Sequence, residues 1–207
     1  MHLIPSIASA NQLDLEGELK RLGECYDNLH VDIEDGNFIP NITFGFNTIE
    51  ALRKISKKPF SVHLLVTNPE FYIDRLAKLK CSHIFVHVES KVYLSEIINK
   101  IKSFNIKAGI ALNPVSNIIN YRYLFNTIDA VMFMTSEPDY ENQKFNVEIL
   151  KNIIDLSQYK NIELWADGGI KEEHLGLLSS KQINYAVMGR EIFIKENPDK
   201  FLEHYNR

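Results

Sequence analysis

Eight short runs of apolar, largely β-branched residues punctuate the chain, at 3–8, 29–33, 60–66, 83–88, 106–112, 130–134, 162–166 and 185–188, and each reads as a strand. Between them the apolar residues fall at helical spacing, as in Leu13, Leu15, Leu19 and Leu22 or Ile97, Ile98 and Ile101, over stretches about right for crossover helices. Strands that are apolar on both faces and joined by helices form a parallel sheet. Eight such units with no leftover segment fit a closed (β/α)8 TIM barrel better than an open sheet. With no linker, low-complexity tract or long charge block, one domain over residues 1–207 accounts for the whole chain. Asn68-Pro69-Glu70 reads as N-cap, first-turn proline and early acid, and Asn47 or Thr48 as the cap of the helix holding Ile49 and Leu52. Pro5 removes a ladder donor from the first run, so a bulge or irregular start is expected there.

Composition narrows the class of function. A hydrophobic share of 45% with 24% charged residues is that of a soluble globular protein. The net charge of −4, from 27 acidic and 23 basic residues, gives no broad positive field for nucleic acid or an anionic membrane, so an anionic ligand needs local help. Two cysteines, Cys25 and Cys81, neither staple a secreted scaffold nor supply a zinc cluster, which points to buried thiols and a reducing cytoplasm. The start MHLIPSIASA lacks the marks of an export signal, and no run of 18 apolar residues occurs, so neither export nor a membrane span is expected.

In (β/α)8 barrels the chemistry sits at the C-terminal ends of the strands. His30 and Asp32, two apart in the second run, point the same way. His63 interrupts the third run, and Asp167 ends the seventh just before Gly168 and Gly169. Two imidazoles and two carboxylates suit a borderline divalent metal such as Zn, Fe(II), Mn or Co. Taken singly, each has a plainer reading: His63 as a hydrogen-bonded core histidine, the acidic turn around Asp32 and Asp35 as solvated. His87-Val88-Glu89 repeats the His-x-acid spacing at the fourth strand end, so spacing alone does not choose between that pair and His30/Asp32. As a set the residues are stronger, because several charged groups in a barrel mouth are costly unless they pair or bind a cation.

Gly36, Gly168, Gly169 and Gly189 fall at or just after strand ends. The turns after strands seven and eight are the usual phosphate corner of such barrels, where glycine lets the backbone approach an anion. They read equally as ordinary turn glycines. Arg190 adds a cation suited to bidentate phosphate contact, or a plain surface charge.

At these residues the sequence resembles the ribulose-phosphate 3-epimerase family. The likeness is colinear over nearly the whole chain: Pro5-Ser6-Ile7, His30-Val-Asp-Ile33, Asp35-Gly36, the stretch FIPNITFG at 38–45, Val62-His-Leu64, Asn113-Pro114, Met134-Thr135, Glu137-Pro138, Gln143-Lys-Phe145 and Asp167-Gly-Gly169. The resemblance implies a divalent metal held by His30, Asp32, His63 and Asp167, with Asp32 and Asp167 as the acid/base pair on opposite faces of a ketose phosphate. It further implies substrate contacts from Ser6 and His63, a mobile loop over the mouth at 37–45, and a homo-oligomer, dimer or hexamer. Inverting the carbon beside a ketone requires a proton removed on one face and returned on the other through an enediolate, each positioned group contributing ~10²–10⁴ in rate.

The departures from the family pattern bear on the substrate. Asp139-Tyr140-Glu141-Asn142 stands where the family usually has a glycine-rich turn that contacts phosphate, and two acids beside a dianion are unfavourable. Arg190 replaces the usual serine and is expected to take over the phosphate. Glu34 and Leu65 stand where methionine is common, and Asn37 where the family has histidine. Together they suggest a divergent branch acting on a pentulose or hexulose phosphate. A decarboxylase or aldolase working through an enediolate, and a sugar-phosphate sensor without turnover, are the alternatives.

Overall fold

The structure is a computed structural model, which describes residues 1–91, 93–138, 144–153, 156, 159 and 162–206. Eight strands, β1 (His2–Pro5), β2 (Leu29–Glu34), β3 (Phe60–Leu65), β4 (Cys81–His87), β5 (Lys107–Leu112), β6 (Ala130–Met134), β7 (Glu163–Asp167) and β8 (Tyr185–Met188), form one parallel sheet in the order β1-β8-β7-β6-β5-β4-β3-β2. A single parallel bridge between Ser6 and His30 brings β1 back to β2, so the expected barrel is present and nearly closed.

The gap in that ladder has a cause in Pro5. The N–H groups of His2 and Ser6 donate toward β8, to the carbonyls of Asn184 and Met188. Alternate residues of a strand donate to opposite sides, so the odd-numbered positions face β2, and Pro5 has no N–H to offer there. The expected bulge is absent: β1 pairs with β8 in unbroken register from His2–Tyr185 to Pro5–Met188, and the irregularity lies on the β2 side. The first run also ends earlier than its apolar pattern suggested, because Ile7–Ser9 turns into a 3₁₀ helix that buries Ile7.

Helices α1 (Leu15–Leu22), α2 (Phe46–Ile55), α3 (Glu70–Leu76), α4 (Leu94–Ser103), α5 (Leu175–Ser180), α6 (Arg190–Phe193) and α7 (Pro198–Asn206) accompany the strands. Helix α1 starts where the Asp14 carboxylate accepts from the N–H of Gly17, and it turns Leu19 and Leu22 inward. The expected strand–helix alternation is modified after β5 and β6, where the described connections are 3₁₀ stretches, Ile118–Leu124 and Val147–Asn152. Two expected caps are also replaced. Gly45 precedes α2, leaving Asn47 and Thr48 inside its first turn, and the Asn68 side chain accepts from Lys91 Nζ at 2.9 Å, so that Pro69 stands at the helix start.

Two apolar cores follow from the alternation of strand side chains. The larger lies between the strands and the surrounding helices; the smaller fills the barrel with Ile4, Phe85, Ala111, Ala130, Met132, Met134, Trp165 and Val187. Gly109 is dictated by that filling, since a Cβ there would meet the Phe85 ring at 2.3 Å. Below the inner core, Glu163 accepts from His83 Nε2 at 2.7 Å and pairs with Lys107, plugging the N-terminal end. The polar residues of β2, β3 and β7 are left at the opposite end.

Candidate active site

Register brings the polar residues together. Asp32 pairs with His63 across β2 and β3, His30 with Ser61, and Met134 with Asp167 across β6 and β7. His30, Asp32, His63 and Asp167 converge so that one ligand atom from each lies within 4.8 Å of every other. His63 Nδ1 stands 3.2 Å from Asp32 Oδ1 and 3.6 Å from Asp167 Oδ2, and His30 Nε2 stands 3.3 Å and 3.9 Å from the same two oxygens. Both imidazoles are fully buried.

The donor chemistry fits a cation. His30 Nε2 is buried without a hydrogen-bond partner, close to two carboxylates but not aligned to donate to either, while its Nδ1 is held at 2.9 Å by Ser61 Oγ. A buried nitrogen of this kind is what a metal ligand leaves when it faces the ion. The electrostatics agree. Burial would raise the Asp32 carboxyl, but the charge of His30 with the hydrogen bond and charge of His63 holds it well below the usual carboxylate range. Burial would lower His63, but hydrogen bonds and charges of Asp167 and Asp32 outweigh it and raise the ring to about 9. Two acids at this spot thus hold positive charge in place, and a divalent ion answers the same field.

Behind the cluster stands His87. Its Nε2 lies 2.8 Å from His63 Nε2 and its Nδ1 2.9 Å from Glu89 Oε2. Burial pushes the ring down to about 4 against the pull of Glu89, which keeps it neutral. Of the two His-x-acid pairs, the one on β2 therefore reaches the cluster and the one at the end of β4 backs it.

A cavity of about 750 Å³ opens above the cluster. Asp32 and Asp167 are in its lining, as are Ser6, Gly168, Gly169, Gly189 and Arg190. Ser6 Oγ donates to Asp32 Oδ2 at 2.8 Å. Gly168, at φ +115°, has no room for a Cβ, which would sit 2.4 Å from Ser136 Oγ. Arg190 is exposed at the cavity rim. The sequence reading missed Lys144 and Lys171, which also line the cavity, and Ser61, which it could have found two residues before His63 on the same strand face. Glu34 is buried in the cavity lining, two residues beyond Asp32. The acidic turn at 139–142 and Gln143 lie outside the described residues. The 37–45 segment is anchored by Asp35, whose Oδ1 accepts from the N–H groups of Asn37 and Phe38 and whose Oδ2 accepts from Thr67 N–H.

Residues 2–193 match the family model described as the ribulose-phosphate 3 epimerase family. The chain belongs to that family. Its class is accordingly that of isomerases acting on carbohydrates. Relatives of the epimerase family include ribulose-phosphate 3-epimerase of Bacillus subtilis, 33% identical over 91% of this chain and 90% of that one. The cytoplasmic isoform of ribulose-phosphate 3-epimerase from Oryza sativa subsp. japonica is 33% identical over 97% and 90%. Among solved structures, KGPDC from Streptococcus mutans superposes with a TM-score of 0.72 at 12% identity, covering 99% of this chain and 94% of that one, a likeness of fold alone. Among the described residues no helix is long and apolar enough to cross a membrane.

Proposed function

We propose that this epimerase-family member inverts C3 of a ketose phosphate, acting as one (β/α)8 domain over residues 1–207 with one divalent metal ion. Ribulose 5-phosphate and xylulose 5-phosphate, or a related pentulose or hexulose phosphate such as allulose 6-phosphate, are the substrates that fit. The observation that carries the reading is the convergence of two imidazoles and two carboxylates from β2, β3 and β7 beneath an open cavity. His30, Asp32, His63 and Asp167 would hold the ion, with Zn, Fe(II), Mn and Co all matching a nitrogen–oxygen donor set. When bound, the ion supplies Lewis-acid polarisation of the ketose oxygens.

The chain's own groups do the proton work. Asp32 and Asp167 come from strands separated by β1 and β8, so they approach the cavity from different sides of the barrel wall. One carboxylate takes the C3 proton from one face of the sugar, the C–H electron pair passing into the enediolate. The other, protonated, delivers a proton to C3 from the opposite face. Ser6, donating to Asp32 Oδ2, fixes the orientation of that carboxylate and lies close enough to the cavity to meet a substrate hydroxyl. His63, expected from the resemblance to touch substrate as well, is fully buried and outside the cavity lining, so it is assigned to the ion alone. Gly168, Gly169, Gly189 and Arg190 form the wall assigned to the phosphate, where Arg190 supplies the positive charge that the glycines lack.

Turnover of candidate ketose phosphates in deuterated water, with metal restored after chelation, tests this reading. Inversion at C3 with solvent deuterium incorporated there, dependent on the restored ion, is the expected result. Loss of carbon, or no exchange with any phosphorylated ketose tried, contradicts it.

A further inference from the structure

We propose that His87 and Glu89 are positioning residues for the cluster: a hydrogen-bond relay, Glu89–His87–His63, holds a proton of His63 on Nε2 and so makes Nδ1 the nitrogen offered to an ion beside Asp32 and Asp167. The inference rests on reading those residues as metal ligands and adds the part of the chain that orients one of them.

The direction of the relay follows from donor and acceptor counting. A carboxylate only accepts, so the 2.9 Å contact between Glu89 Oε2 and His87 Nδ1 places a hydrogen on that nitrogen. A neutral imidazole carrying its hydrogen on Nδ1 has only a lone pair on Nε2. The 2.8 Å contact between His87 Nε2 and His63 Nε2 then requires that His63 be the donor. The ring geometry suits an in-plane N–H···N bond: the centroids are 4.9 Å apart and the planes differ by 23°. What remains on His63 is Nδ1, which lies 3.2 Å and 3.6 Å from the two aspartates; without an ion the same counting places a hydrogen there, donated to Asp32, and that is the hydrogen a bound ion would displace.

The relay is anchored at its outer end, where Glu89 meets solvent, and its two rings are closed from water. Glu89 Oε1 accepts from the Asn113 N–H at 2.9 Å and from Ser116 Oγ, so the segment after β5 fixes the carboxylate. His63 and His87 are both fully buried. The Phe38 ring packs on His87 with centroids 4.9 Å apart, which ties the 37–45 segment to the same ring. Partners of this kind behind a metal-bound histidine fix its tautomer and typically account for 10–100-fold in metal affinity.

The test uses the full chain with Zn²⁺ alone as the probe. Competition with a chromophoric chelator should show His87→Leu binding Zn²⁺ roughly 10–100-fold more weakly than the wild type. His87→Gln, whose amide oxygen can accept from His63 Nε2, should recover most of that loss, and Glu89→Gln should fall between. Thermal unfolding of the metal-free variants separates a folding defect from a binding one. Long-range ¹H–¹⁵N correlation spectra of the Zn²⁺-loaded wild type should show the His63 proton on Nε2, a readout that stands even if a variant does not fold. Zn²⁺ affinity within twofold of wild type in His87→Leu, or the His63 proton on Nδ1, overturns the relay while leaving the metal site standing. A wild type that takes up no Zn²⁺ overturns the metal reading, and the relay with it.

Discussion

Asn206, in the last turn of α7, pairs with both backbone groups of Leu3: its Oδ1 accepts from the Leu3 N–H at 2.7 Å and its Nδ2 donates to the Leu3 carbonyl at 3.1 Å. Leu3 is one of the β1 residues that face the unzipped side of the strand, where Pro5 offers no donor and β2 makes only one bridge. A side-chain amide thus takes the place of a neighbouring strand. The same Nδ2 reaches the Cys25 carbonyl at 3.1 Å, so the end of the chain fastens the beginning of the barrel.

Asn206→Ala should therefore destabilise the protein by about 1–3 kcal/mol, the cost of leaving a buried amide unsatisfied. Urea unfolding followed through Trp165, the sole tryptophan and a fully buried one, checks this. Asn206→Asp, which keeps the acceptor and loses the donor, should recover only part of the loss. Stability unchanged in Asn206→Ala would mean that the seam closes by other means.

At the other end of the barrel, burial would raise the Glu163 carboxyl, but hydrogen bonds from His83 and Lys107, with their charges, lower it from 4.5 to about 2. The unfolded chain thus binds this proton before the folded one does. The stabilisation from Glu163 is fully present above its ordinary value and is lost as pH falls from about 4.5 towards 2. Glu163→Gln should lower stability near neutrality and flatten the acid limb relative to wild type over that window. Parallel stability–pH curves for the two proteins would remove this assignment.

Burial raises the Cys81 thiol to about 12, while Cys25 is half-buried. A thiolate-selective reagent should leave Cys81 unmodified in the native protein and reach it on unfolding. Rapid native labelling of Cys81, located by peptide mass, would contradict its packed position.

Arg190→Ala should raise KM for a phosphorylated ketose by roughly 10–100-fold, the range for one charged hydrogen bond, with kcat little changed. An unchanged KM removes Arg190 from the phosphate site.

The strands were legible because their β-branched runs are continuous, and β6 and β8 fall at the expected residues. What sequence periodicity does not encode is where backbone donors end up. Ile7 and Ala8 continue an apolar run yet coil into a 3₁₀ turn. The 3₁₀ stretches in the connections after β5 and β6 open on Asn117 and Asn146, whose side chains accept the N–H two residues on and start that geometry. In the site, same-face spacing placed His30 with Asp32, but the role of His87 depends on how β3 and β4 align. The register pairs His63 with Phe85, after a shift at Phe60/Ser61, and so carries His87 one step beyond the cluster. That alignment is a property of the closed sheet and has no signature within either strand.

The central claim is that His30, Asp32, His63 and Asp167 together hold one divalent ion. Anomalous diffraction at the Zn edge, from crystals of the metal-loaded protein, tests it most directly. The account predicts one strong peak within about 2.0–2.2 Å of His30 Nε2, His63 Nδ1 and an oxygen of each aspartate. A peak on His87 and Glu89 instead, or no peak among the four residues, would contradict it.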